Sequence, residues 1–182
     1  MNDRLLSLLR EAIAGHMAAL EAGRVTVDEW QSAMASDLLV FHTAAYMDAR
    51  GVRDVSPQAQ QQLNGVVGTQ VDYLNAFADE IDDANGDPAM FPRWAARADM
   101  YADALTHSAS IGKTWGWPLP VHPGDGGTPC RSRCRCSWDI QVEDAEELNG
   151  NAYWRLGGDS CAGCRARAAQ YSPLRIVGGE IA

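Results

Sequence analysis

All five cysteines of this 182-residue chain, Cys130, Cys134, Cys136, Cys161 and Cys164, fall between positions 130 and 164. Five is odd, so a fully paired disulfide framework leaves one thiol over. The start reads as the first helix of the fold rather than a secretory leader, so a reducing compartment is expected, where clustered cysteines more often hold metal than each other. Cys161 and Cys164 have the two-residue gap of a zinc knuckle, with Gly163 inside the turn. Such a turn brings both sulfurs onto one ion, each about 2.3 Å from it. The group Cys130, Cys134 and Cys136 supplies the remaining ligands. Cys134 and Cys136 are two apart on a predicted strand, which puts their Cα atoms roughly 6.5 Å apart. Two thiolates on one tetrahedral zinc sit roughly 3.8 Å apart. The pattern therefore predicts a structural Zn²⁺ held by Cys161, Cys164, Cys130 and one of Cys134 and Cys136. His122 is an outside candidate. The alternatives are disulfides with one free cysteine, or unliganded buried thiols. A redox Cys161-x2-Cys164 is disfavoured because the strand-then-helix context of that motif is missing. A catalytic zinc needs an open position that four sulfurs would close.

The rest of the chain predicts a mainly α protein, with a helical body over residues 1–115 and a small irregular cysteine-rich module with a short strand over residues 116–182. Leu5, Leu9, Ile13, Met17 and Leu20 recur at helical steps, with Gly23 as a stop. Thr26 and Glu29 form a capping-box pattern opening a second helix along Trp30, Met34, Leu38, Phe41 and Ala45, ending near Gly51. Ser56-Pro57 starts a third helix through Leu63, Val66, Val67, Val71, Leu74, Phe77 and Ile81. After the turn-rich DDANGDP, a fourth runs from about Pro92 through Ala98, Tyr101 and Leu105 to about Thr114. Each stripe needs a partner, and the short connections predict a bundle of antiparallel neighbours.

At Gly116 the composition shifts. Residues 115–130 hold four prolines and four glycines, which excludes regular helix. Residues 134–142 alternate, with Cys134, Cys136, Trp138 and Ile140 on one face, as in a half-buried strand. Residues 144–157 and 161–171 each suggest a short helical turn, and residues 172–182 a short strand and a tail. A hydrophobic fraction of 46% with 21% charged residues excludes wholesale disorder. No apolar run approaches the roughly 18 to 20 residues of a membrane span. The net charge of −9 is uneven: residues 1–129 carry 17 acidic and 8 basic side chains, residues 130–182 seven of each. An acidic body opposes a broad nucleic-acid-binding face, which needs cations against phosphate.

The strings LPVHPGDGGTPCRSRCRCSWDI (residues 119–140) and AYWRLGGDSCAGCRARAAQYSP (residues 152–173) resemble the minor head, or head-morphogenesis, proteins encoded near the portal gene of tailed bacteriophages and prophages. Members of that family often end in a proline-rich approach, a His-Pro or Gly-Asp-Gly loop, a Cys-x-Cys strand and a later Cys-x2-Cys. LEAGRVTVDEWQSAM, FHTAAYMDARG, VDYLNAFADEI and RADMYADAL extend a looser similarity over the helical part. The chain departs from the family at Gly51-Val52, where relatives tend to have Gly-Gly. The resemblance implies a structural or assembly protein acting at the capsid near the portal; an enzyme is not expected, because no Ser/His/Asp arrangement or open metal triad is recognisable. Its partners would be portal, capsid or connector proteins and further copies of itself, in the virion or in the host cytoplasm during assembly; no membrane association is expected, for want of a long apolar run.

Other motifs have plainer readings. His42 and His107 lie in helical segments, where satisfied core or surface histidines are the rule. Asp79, Glu80, Asp82 and Asp83 lack the ligand spacing of a calcium loop and fit a solvated helix end. Gly124, Gly126 and Gly127 are followed by no Gly-Lys-Ser/Thr and fit turn geometry. Arg131, Arg133, Arg135, Arg165 and Arg167 flank the cysteines as in some nucleic-acid-binding zinc modules. A small zinc-dependent nucleic-acid-binding protein is therefore the runner-up reading, weakened by the seven acids in the same segment. Trp115, Trp117, Trp138 and Trp154 are expected to cover the small core.

Overall fold

The computed structural model describes residues 3–125, 127–130 and 134–182. Gly126, Arg131 and Arg133, singled out above, lie outside the described residues. The helical body is followed by the cysteine-rich module, as the sequence predicts.

Helix α1 (Asp3–Glu21) buries Leu9, Ile13, Met17 and Leu20. Helix α2 (Val27–Arg50) opens with the capping box: Glu29 N–H donates to Thr26 Oγ1 at 3.2 Å, and Thr26 N–H to Glu29 Oε2 at 2.8 Å. Helix α3 (Pro57–Asp83) starts at Ser56, whose hydroxyl accepts from Ala59 N–H at 3.2 Å. Leu74, Phe77 and Ile81 join the α1–α2 core, and Trp30 meets Phe77 edge-on at 5.3 Å. Leu63 and Val66 pack with Tyr46 and Ile111 in a second cluster. At the C-terminal end of α3, Asp79, Asp82 and Asp83 are exposed and Glu80 pairs with Arg97, so this run is a solvated helix end.

The predicted fourth helix is two helices, α4 (Phe91–Asp103) and α5 (Leu105–Thr114), preceded by a 3₁₀ turn at Pro88–Met90. They join at Ala104, which is fully buried; its N–H bonds to Tyr101 O, and His107 N–H bonds to Ala104 O. These are tightened i→i−3 bonds with no glycine or proline to announce them. The break lays α5 along α2, the most extensive helix contact of the body. At Gly112 a Cβ would stand 2.5 Å from Tyr46 O and 3.1 Å from Ala49 Cβ, so only glycine permits this approach. Gly112→Val should therefore lower the stability of the body by about 2 kcal/mol or more, the overpacking outweighing any helix-propensity gain. Urea unfolding followed by helical signal would measure it. One step away, His42 Nδ1 and Ser108 Oγ share a 2.7 Å hydrogen bond in the interior. His42 and His107 are thus core histidines, 0% and 2% exposed.

The module contains more regular structure than one short strand. Strands β1 (Ser137–Asp144), β2 (Asn149–Arg155), β3 (Leu174–Val177) and β4 (Glu180–Ile181) form an antiparallel sheet in that order, and helix α6 (Ala162–Tyr171) connects β2 to β3. The helical turn expected over residues 144–157 is instead a hairpin turn followed by β2. Asp144 Oδ1 accepts from the N–H groups of Glu146 and Glu147, folding the chain back so that Trp154 lies opposite Trp138 and Ala152 opposite Ile140. The helical turn expected over residues 161–171 is α6. The expected tail turns at Gly178-Gly179 and pairs as β4. One sheet face carries Trp138, Ala152, Trp154 and Ile176 into the module core; the other is polar, with Arg155 paired to Asp139 and Arg175 to Glu143.

The proline- and glycine-rich loop ties sheet to body. Trp138 Nε1–H donates to Val121 O at 2.8 Å. Gly124 lies flat on His107: a Cβ there would stand 2.2 Å from the ring Nδ1. Among the described residues no helix is long and apolar enough to cross a membrane.

Candidate metal centre

Three segments deliver the five cysteines to one place. Cys130 ends the loop, held by Thr128, whose Oγ1 lies 3.2 Å from Cys130 Sγ. Cys161 is the N-cap of α6, and Cys164 sits in the first turn, where its N–H donates to Cys161 Sγ at 3.4 Å. This backbone N–H lowers the Cys161 thiol to about 6, helped by Cys130. A thiolate at a helix N-terminus is favoured for the same reason as any anion there. Cys164 is fully buried, and burial with the neighbouring thiols pushes its ionisation strongly upward. Burial likewise raises Cys134 to about 11.

The strand predicted through Cys134 and Cys136 begins later, at Ser137. Pairing starts at Ser137 opposite Arg155, so the two cysteines precede the ladder and are released from its regular repeat. The alternation survives: Cys134 and Cys136 are buried and Arg135 is exposed. The regular-strand spacing therefore does not apply to this pair, and the sulfurs of Cys134, Cys136 and Cys164 all lie within 4.8 Å of one another. A second set, Cys130, Cys161 and Cys164, meets the same limit. Cys130 Sγ is 3.3 Å from Cys164 Sγ and 3.5 Å from Cys161 Sγ, and Cys134 Sγ is 3.6 Å from Cys164 Sγ. A disulfide requires about 2.05 Å. The separations instead approach the roughly 3.8 Å between thiolates sharing a tetrahedral ion. All five cysteines are free thiols, close enough together to hold a metal ion.

The outside candidate, His122, lies elsewhere, in a small recess with Ile111, Trp115 and Trp117, where burial lowers its pKa. Trp138 and Trp154, edge-on at 5.1 Å, cover the module core as expected; Trp117 is partly buried against it, while Trp115 packs on Tyr46.

A cleft of about 770 Å³ separates the cysteines from α3 and α4. Cys130, Cys134, Arg135 and Cys136 form one wall, and Gln70, Tyr73, Arg97 and Tyr101 belong to the other. Sequence reasoning missed the body side of this cleft. Its one signal was Gln70, a polar residue at a core-facing step of the Val66–Leu74 stripe, which is 1% exposed. Among the described arginines of the module, Arg167 grips Asp125 through two bonds of 2.8 and 2.9 Å, Arg165 donates to Ser160 O, and Arg155 and Arg175 hold their carboxylates, while Arg135 is exposed beside the cleft. Comparison of the chain with protein-family models, with curated proteins and with solved structures finds no match.

Proposed function

We propose that this chain is a structural or assembly protein of the tailed-bacteriophage head, acting at the capsid near the portal, with a structural zinc in its C-terminal module. One observation carries the reading: residues 119–140 and 152–173, which resemble the phage minor head proteins, are the segments that gather the five cysteines around Cys164. Zinc is the metal that fits a thiolate set of this spacing. Cys130, Cys161 and Cys164 hold it, and Cys134 is the nearest fourth sulfur. The role is architectural rather than enzymatic: the ion fixes loop, sheet and α6 to one another. The helical body packs against portal, capsid or sibling subunits, to which α2 offers Leu39 and Val40, 43% and 58% exposed.

The competing nucleic-acid-binding reading needs arginines free to meet phosphate; of those that flank the cysteines, Arg165 and Arg167 are engaged within the module, which weighs against it, and the acidic balance of the body opposes it further. Co-expression with a tailed-phage portal protein tests the choice. The two should migrate together in size-exclusion chromatography. Separate migration, with DNA affinity falling steeply as salt rises, would replace the head-assembly reading with the nucleic-acid one.

A further inference from the structure

Five thiols are one more than a tetrahedral ion uses. Of the two candidates for the spare position, Cys134 is 4% and Cys136 7% exposed, so neither is a surface bystander. The sulfurs also do not spread evenly around one point. They divide into Cys130, Cys161 and Cys164 on one side and Cys134, Cys136 and Cys164 on the other, each set within 4.8 Å and both containing Cys164.

From this division we infer that the centre takes two soft divalent cations, of the Zn²⁺ or Cd²⁺ class, bridged by the Cys164 thiolate. The first ion is held by Cys130, Cys161 and Cys164, the second by Cys134, Cys136 and Cys164. The inference rests on the metal-binding reading above and extends it from one ion to two.

Three features favour the arrangement. Thiolate sulfur is a soft donor able to bridge two d¹⁰ ions, and a buried, central position suits the bridging ligand. Charge is better matched as well. Five thiolates with two divalent ions leave one negative charge, whereas four around a single ion leave two beside a buried neutral thiol. The Cys134–Cys136 segment is also closely packed against the chain that follows β2. A Cβ at Gly157 would stand 2.7 Å from Arg135 Cβ and 2.8 Å from Arg135 O, so the chain after β2 presses directly on that segment. Three sulfurs leave each ion one coordination position. Cys130, Cys134 and Cys136 line the 770 Å³ cleft, from which water or a small anion beside Arg135 can fill these positions.

Titration of the reduced, metal-free full-length chain with Cd²⁺, read by native mass spectrometry, counts the ions. The wild type should saturate at two Cd²⁺ per chain. Cys136→Ser should saturate at one with the first affinity retained, because Cys136 belongs only to the second set; Cys136→Ala should do the same. A wild type saturating at one Cd²⁺, unchanged in both variants, would overturn the two-ion centre and leave the single-ion reading standing. Failure to bind any Cd²⁺ would remove both readings together.

Discussion

Stripping the metal with a chelator should unfold residues 117–171 and leave α1 to α5 largely formed. The reason lies in what each part buries. The body core includes Trp30, Trp94, Phe77, Leu9, Leu38 and Leu74, all buried without reference to any cysteine. Among the described residues the module core comprises seven buried ones, and three of them are Cys134, Cys136 and Cys164. The other four, Trp138, Ala152, Trp154 and Ile176, cannot by themselves offset the ordering of a four-stranded sheet and a helix. Structural zinc binding is worth about 10 kcal/mol or more, and for so small a unit that is effectively its folding free energy. Hydrogen exchange on the chelated protein should show lost protection in β1, β2 and α6, with α1 and α2 still protected. The docking contacts of Gly124 on His107 and of the loop on the sheet would be lost with the module. Loss of protection spread evenly across all the helices would mean that module and body share a single cooperative core.

Acid should weaken the body through one side chain. His42 is fully buried, and desolvation, reinforced by nearby His107, holds its pKa down at about 3 against an ordinary 6.5. Its Nδ1 is engaged with Ser108 and its Nε2 has no partner among the described residues, so the site accommodates a neutral ring. Between these two pKa values the unfolded chain binds a proton that the folded chain refuses. Stability from this group is therefore fully present above about pH 6.5 and is lost as pH falls towards 3. At pH 4.5 the loss amounts to about 2 to 3 kcal/mol, at 1.36 kcal/mol per unit. His42→Leu removes the titration. That variant should start less stable near neutrality, because Ser108 loses its partner, yet show a flatter decline on acidification. Urea denaturation of both proteins from pH 7.5 to 4.5, read by helical signal, gives the comparison. Acid release of metal is common to the two and cancels. Parallel pH profiles would show that His42 is not the group responsible.

The portions legible in the sequence were those fixed by neighbours along the chain. The capping box at Thr26 and Glu29, the Ser56-Pro57 start and the apolar steps of α1 to α3 each depend on residues within a turn or two. The knuckle at Cys161 and Cys164 is equally local, and it pointed to the cysteine cluster correctly. The rest was settled by partners far away in the chain. No residue near Ala104 signals the α4–α5 break; it follows from Gly112 allowing α5 to close on Tyr46. Strand β2 hid within residues that also suit a helical turn, because a strand is specified by its partners across the sheet, here Trp138 and Ile140. Spacing alone made Cys134 and Cys136 alternatives to each other. Tertiary structure set both beside Cys164, because the chain is held there by Gly157 before the ladder begins. Local chemistry thus determined where α1 to α3 run and which residues can hold metal. How the sulfurs divide around Cys164, and which helices face them across the cleft, was decided only when the chain closed on itself.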